Sequence, residues 1–106
     1  MSFKAVDWAY AQGGMTMAQK AVLVALAFHF NSDEHCARPS QKTIAREISA
    51  ARSTVQTAMQ ALEQDLGLVV TEVRVDANGR QTASLYYLPD FDPLSRPVTA
   101  ELEFST

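Results

Sequence analysis

Eight apolar residues in a row, Ala21 to Phe28 (AVLVALAF), set the strongest limit on what this chain can fold into. The run is too short to cross a bilayer, which takes about 20 helical residues. Coiled as a helix it is apolar on nearly every side, so it belongs in the middle of a core with other helices packed round it. Thr16 and Gln19 stand three apart just ahead of it, the spacing of a capping box. A helix is therefore expected from Met17 to about Phe30, with Asn31-Ser32-Asp33-Glu34 as its exit turn. Upstream, Phe3 to Tyr10 (FKAVDWAY) fits a short helix before the Gly13-Gly14 break.

Two brief helical patterns follow. Ser40 is placed to cap the first, its hydroxyl accepting from the open amides of the first turn. Ile44, Ala45 and Ile48 then form its inward stripe. After Ser49-Ala50-Ala51, Val55, Ala58, Met59 and Leu62 recur at helical spacing, and Gly67 suits a left-handed stop. The period then changes. Leu68 to Val75 (LVVTEVRV) is rich in β-branched residues, and Thr82 to Leu88 is a partner strand. Between them Asn78-Gly79 signals a hairpin, because both residues tolerate positive φ. The expected fold class is mainly α with a β-hairpin wing: a winged helix-turn-helix of three or four helices and two strands, over residues 1–89. Residues 90–106 are acidic and proline-containing. They are expected to lie extended or loosely docked, as a dimer arm or the stub of a longer chain.

The net charge of −3 argues against a polyanionic partner until it is divided. Residues 1–89 balance at eight basic against eight acidic, whereas 90–106 set Arg96 against Asp90, Asp92, Glu101 and Glu103. A locally basic face therefore sits on a neutral body with an acidic tail. The lone Cys36 excludes an internal disulfide and any multi-cysteine zinc site. His35 beside it lacks partner ligands, and Cys36 reads as a small apolar filler. His29 reads as a partly buried core histidine. With no signal-peptide plan at the N-terminus, a soluble cytoplasmic protein is expected. No phosphate-cradling glycine loop, metal-ligand cluster or nucleophile elbow is present. No catalytic residue, cofactor or metal is assigned, and no enzyme is expected.

A short turn between the last two helices swings the third helix across the second and projects its outer face. Opposite Val55, Met59 and Leu62, helical geometry places Ser53, Thr57, Gln60 and Gln64, with Arg52 and Gln56 at the flanks. Arginine can fork onto guanine, glutamine onto adenine, and hydroxyls can reach bases or phosphates. Arg38, Lys42 and Arg46 would contact phosphates beside the groove. Arg74 and Arg80, on and next to the hairpin, would touch the backbone or a minor groove. Taken one by one, these are also ordinary solvated side chains. Trp8, Tyr86 and Tyr87 are more readily packing residues than base stackers.

The stretch from Trp8 to Val69 resembles the helix-turn-helix domains of bacteriophage and plasmid replication proteins. It shares the early Trp8, the leucine- and alanine-rich helix, Pro39-Ser40, Ile44-Ala45, Ser53-Thr54-Val55, Leu62 and Gly67-Leu68. The resemblance spans roughly Phe3 to Leu88. It implies sequence-specific binding of duplex DNA, with Arg52, Ser53, Thr54, Gln56, Thr57 and Gln60 on the recognition helix and Ser40 beside them. The role implied is replication initiation or transcriptional control in a phage or other mobile element. Two copies on a repeated or palindromic site would make the protein a dimer. The chain departs from the family where glycine usually stands at Ser49 and a serine or threonine cap at Ala51. Either Ser49 caps from a shifted start or the turn is remodelled; loss of a cap costs about 1 kcal/mol. The alternative function is a protein-binding winged-helix module, or a small phage-encoded inhibitor acting through its acidic surface, with a protein partner met by the tail.

Overall fold

The computed structural model of the chain describes residues 2–97. Glu101 and Glu103 of the acidic tail lie outside the described residues. Four helices come first: α1 (Phe3–Ala11), α2 (Met17–Phe28), α3 (Gln41–Ile48) and α4 (Arg52–Gln60). A π-helical turn, Ala61–Asp65, extends α4, and an antiparallel hairpin follows, β1 (Val70–Val75) with β2 (Gln81–Tyr87). No helix among the described residues is long and apolar enough to cross a membrane.

The central helix starts as its sequence requires. Thr16 Oγ1 accepts from Gln19 N–H at 3.2 Å, and Gln19 Oε1 accepts from Thr16 N–H at 3.0 Å. Val22, Leu23, Ala25, Leu26 and Ala27 are buried, and α2 touches α1, α3, α4 and the π-turn. It is not wrapped on every side, however. Met17 is 90% exposed and Phe28 42%. Together with Tyr10, Val24 and Ile48 they line an open apolar groove of about 840 Å³ between α1, α2 and the end of α3. Lys20 closes α1 by donating to the carbonyls of Tyr10 (2.7 Å), Ala9 (3.3 Å) and Gln12; a lysine there satisfies carbonyls that a helix end leaves open.

Ser40 caps α3 by accepting from Thr43 N–H at 3.0 Å. The helix ends at Ser49, which adopts the left-handed conformation (φ 58°, ψ 46°) where the resembling family carries glycine. Ser49 therefore does not cap the next helix. Ala51 holds that position with no side-chain hydrogen bond, and α4 begins unshifted at Arg52. Leu68 N–H returns to the Leu62 carbonyl at 2.9 Å, and Gly67 takes φ 63°, so the left-handed stop falls where glycine was expected to supply it.

Leu68 and Val69 are buried in the core, so β1 begins two residues later than their β-branched run suggests. In the hairpin turn only Gly79 takes positive φ (80°), not Asn78 as well. Asp76 explains the difference. Its carboxylate accepts from Asn78 N–H (2.9 Å) and Arg80 N–H (3.0 Å), and its carbonyl accepts from Gly79 N–H (3.0 Å). Ala77-Asn78-Gly79 thus forms a three-residue loop with glycine at the left-handed position. Ala37 exchanges two backbone hydrogen bonds with Tyr86, each 2.9 Å, stitching the loop before α3 to the outer edge of β2.

Residues 90–97 correct the expectation of an extended or loosely docked tail. Phe91 packs against Trp8 and Phe30 at ring-centroid distances of 5.8 and 5.4 Å. Ser95 is fully buried; its Oγ accepts from Leu88 N–H (2.9 Å) and donates to the His35 carbonyl (2.5 Å). His35, itself at φ 59°, holds Asp92 through Nδ1 at 2.7 Å. Apolar anchors and a satisfied buried serine outweigh the prolines and carboxylates that suggested a loose segment.

Two stability measurements follow from these contacts. Ser49→Gly relieves a left-handed serine and is expected to raise the unfolding free energy by roughly 1 kcal/mol in urea titration. Ser95→Ala leaves a buried amide without its acceptor and is expected to cost about 1–3 kcal/mol.

Candidate nucleic-acid interface

On α4 the buried stripe is Val55, Ala58 and Met59, continued by Leu62. Arg52, Ser53, Thr54, Gln56, Thr57 and Gln60 are all exposed. Phe91, Asp92 and Ser95 of the tail pack and bond elsewhere, with Trp8, Phe30, His35 and Leu88, and among the described residues this edge stays open to solvent.

These side chains divide between two faces. Arg52, Gln56 and Gln60, with Arg38 and Ser40, line a cleft of about 990 Å³ whose opposite wall is the hairpin. Ser53, Thr54 and Thr57 face a second hollow, toward the start of α2. Lys42 and Arg46 are exposed on α3, outside the residues that line the cleft. Arg74 projects from the other face of the hairpin beside Tyr87 and Leu85, 3.7 Å from Glu72. Arg80 stands exposed at the hairpin tip. Ser40 is already engaged, since its hydroxyl both caps α3 and donates to Thr43 Oγ1 at 2.9 Å. Arg38 is ion-paired with Glu34.

The hairpin wall was not anticipated from the sequence. Residues 81–84 and Tyr86 line the cleft from β2, and Thr71 and Val73 do so from β1, opposite Tyr86 and Ser84. Period-two spacing, Thr71 with Val73 and Ser84 with Tyr86, is the sequence signal for those four. Thr71 Oγ1 is the one buried side-chain oxygen or nitrogen without a hydrogen-bond partner among the described residues. Glu63 is the one acid among the cleft-lining residues, and burial pushes its carboxyl up from the ordinary range. Burial likewise pushes up the phenol of Tyr86.

His29, at the end of α2, is half-buried and meets Glu47 of α3 at 2.8 Å. Cys36 is buried with Leu85 and Tyr87 in a small cluster behind the hairpin. No group of three or more histidine, cysteine, aspartate or glutamate side chains that could hold a metal occurs among the described residues.

Four helices, a tight turn into the last of them, and a hairpin facing that helix across a polar cleft define a winged-helix-like module. Over 69 residues the chain is 39% identical to Protein YmfN of Escherichia coli (strain K12). The match covers 65% of this chain but only 15% of that protein's length. No family model and no solved structure matches.

The hairpin carries a pH signature. Tyr87 donates to Glu72 Oε1 at 2.6 Å, and burial, then the Glu72 carboxylate, push its phenol up to about 12. A folded value above the unfolded value of about 10 means that this stabilisation is full below pH ~10. It is lost as pH rises toward 12. Tyr87→Phe is expected to flatten part of the alkaline fall in stability, measured by denaturant titration at a series of pH values.

Proposed function

We propose that this chain is a sequence-specific duplex-DNA-binding module serving replication initiation or transcriptional control in a phage or other mobile element. The observation that carries the reading is the cleft. The exposed edge of α4 presents Arg52, Gln56 and Gln60 to an open polar groove, with the hairpin as its far wall. In this reading α4 enters the major groove and its arginine and glutamines address base edges. The hairpin lies along the adjacent backbone, with Arg80 at its tip, and Lys42 and Arg46 approach phosphates from α3. Three further features support it. The start of α4 has no side-chain cap, so its first amides are open to a phosphate. Thr71 Oγ1 lies unpartnered beside the cleft. The charge of residues 1–89 is balanced, so the acidic excess belongs to 90–106.

A second reading, a protein-binding module, is favoured by the apolar groove where Tyr10, Met17 and Phe28 are exposed. One titration separates the two: fluorescence anisotropy with random and selected duplexes at several salt concentrations. Binding through the cleft should weaken with salt at a slope of about −0.9 per phosphate contact. Arg52→Ala should cost about 1–3 kcal/mol of base discrimination. Glu63→Gln, removing the carboxylate from the cleft, should tighten binding severalfold. A folded sample that binds no duplex at low salt supports the protein-binding reading instead.

A further inference from the structure

The β1 edge of the hairpin is unpaired along its whole length among the described residues, and its residues are arranged to complement themselves. Ala37 occupies the outer edge of β2 at Tyr86 and the ladder is irregular on β2 farther along, whereas no backbone hydrogen bond reaches β1 from beyond the hairpin among the described residues. Tyr86 spends its own amide and carbonyl on Ala37, so the Thr71–Tyr86 and Val73–Ser84 pairs are the non-bonded pairs of the ladder. Thr71 and Val73 consequently aim their amides and carbonyls away from β2, toward solvent. The ladder's irregularity skips Thr82 on β2 and leaves β1 regular up to Val75. Val73 is 55% exposed and Val75 60%, unusual for valines in so short a strand. An open, regular edge of this kind is a template for another strand.

We propose that the occupant of this edge is β1 of a second copy of the chain, running antiparallel about a two-fold axis at Val73. Charge selects the register. A two-fold pairing must match outward groups with outward groups, so its centre falls on a residue and not between two. Centred on Glu72 it sets carboxylate against carboxylate, and centred on Arg74 guanidinium against guanidinium. Centred on Thr71 it pairs no opposite charges within the strand. Centred on Val73 it sets Glu72 against Arg74 of the second copy twice over, Val73 against Val73, and Thr71 against Val75. The Glu72–Arg74 pairs fall at the close, non-bonded positions, where cross-strand side chains interact most strongly. The axis stands perpendicular to the sheet, so both copies carry their clefts on the same side of a four-stranded sheet. The pairing uses backbone and side chains that need no nucleic acid, so it stands or falls separately from the DNA reading.

The experiment is sedimentation equilibrium of the full chain without DNA. The expected result is a concentration-dependent dimer. Glu72→Arg alone and Arg74→Glu alone each turn both cross-strand pairs repulsive, and each should weaken the dimer roughly tenfold or more. Mixing the two single variants restores both opposite-charge pairs, and the mixture should dimerise more tightly than either variant alone. Val73→Pro removes an amide the hairpin does not use and should also give monomer; far-ultraviolet circular dichroism on every variant checks that it is folded. A wild-type chain that stays monomeric at the highest concentration reached overturns the proposal. So does a dimer in which the mixed variants associate no better than each alone.

Discussion

Burial of α2 is the constraint on which the other elements depend. It is the helix that α1, α3, α4 and the π-turn all touch, and Leu23, Leu26 and Phe30 on or just past it are almost wholly withdrawn from solvent. Each such side chain contributes on the order of 2–3 kcal/mol relative to exposure. The polar elements hang from that anchor. α4 can show solvent an edge of arginine, hydroxyls and glutamines because Val55, Ala58, Met59 and Leu62 hold its other edge in the common core. Phe91 docks for the same reason: Phe30 and Trp8 give its ring a place in that core.

The turn between α3 and α4 shows how a local departure is absorbed. Ser49 takes a conformation that costs an L-residue about 1–2 kcal/mol, and Ala51 leaves the next helix uncapped. Neither penalty moves the start of α4, because the helix is positioned by its buried stripe and not by its cap. The same arrangement leaves the α4 amides unclaimed by the protein's own side chains.

Much of this was legible in the residues. The capping box at Thr16 and Gln19, the Ser40 cap, the inward stripe of α4 and the Gly67 stop are local patterns, and local patterns decide local structure. Illegible were the features in which one side chain displaces the residue that the local pattern favours, or meets partners distant in sequence. Asp76 takes over the hairpin turn because its carboxylate reaches two amides across the loop, so Asn78 keeps an ordinary φ. Ser95 looks like a loop residue until His35 and Leu88 meet it from about sixty and seven positions away. In the sequence the candidate residues form one helix face and one set of cations. The fold sorts them between a cleft, a second hollow, the α3 surface and the far face and tip of the hairpin, and that sorting depends on how α4 sits against a wing contributed from later in the chain.

The bridge between Ala37 and Tyr86 has a mechanical consequence. It joins the segment leading into α3 to the inner length of the hairpin, so the two walls of the cleft are riveted at the root. Toward Asp76 and Arg80 the hairpin is solvent-exposed on every residue, and little but its own ladder braces it. The gap therefore behaves like callipers with a rigid joint and one compliant jaw. Its width is set where Tyr86 meets the helices and adjustable where the tip reaches out.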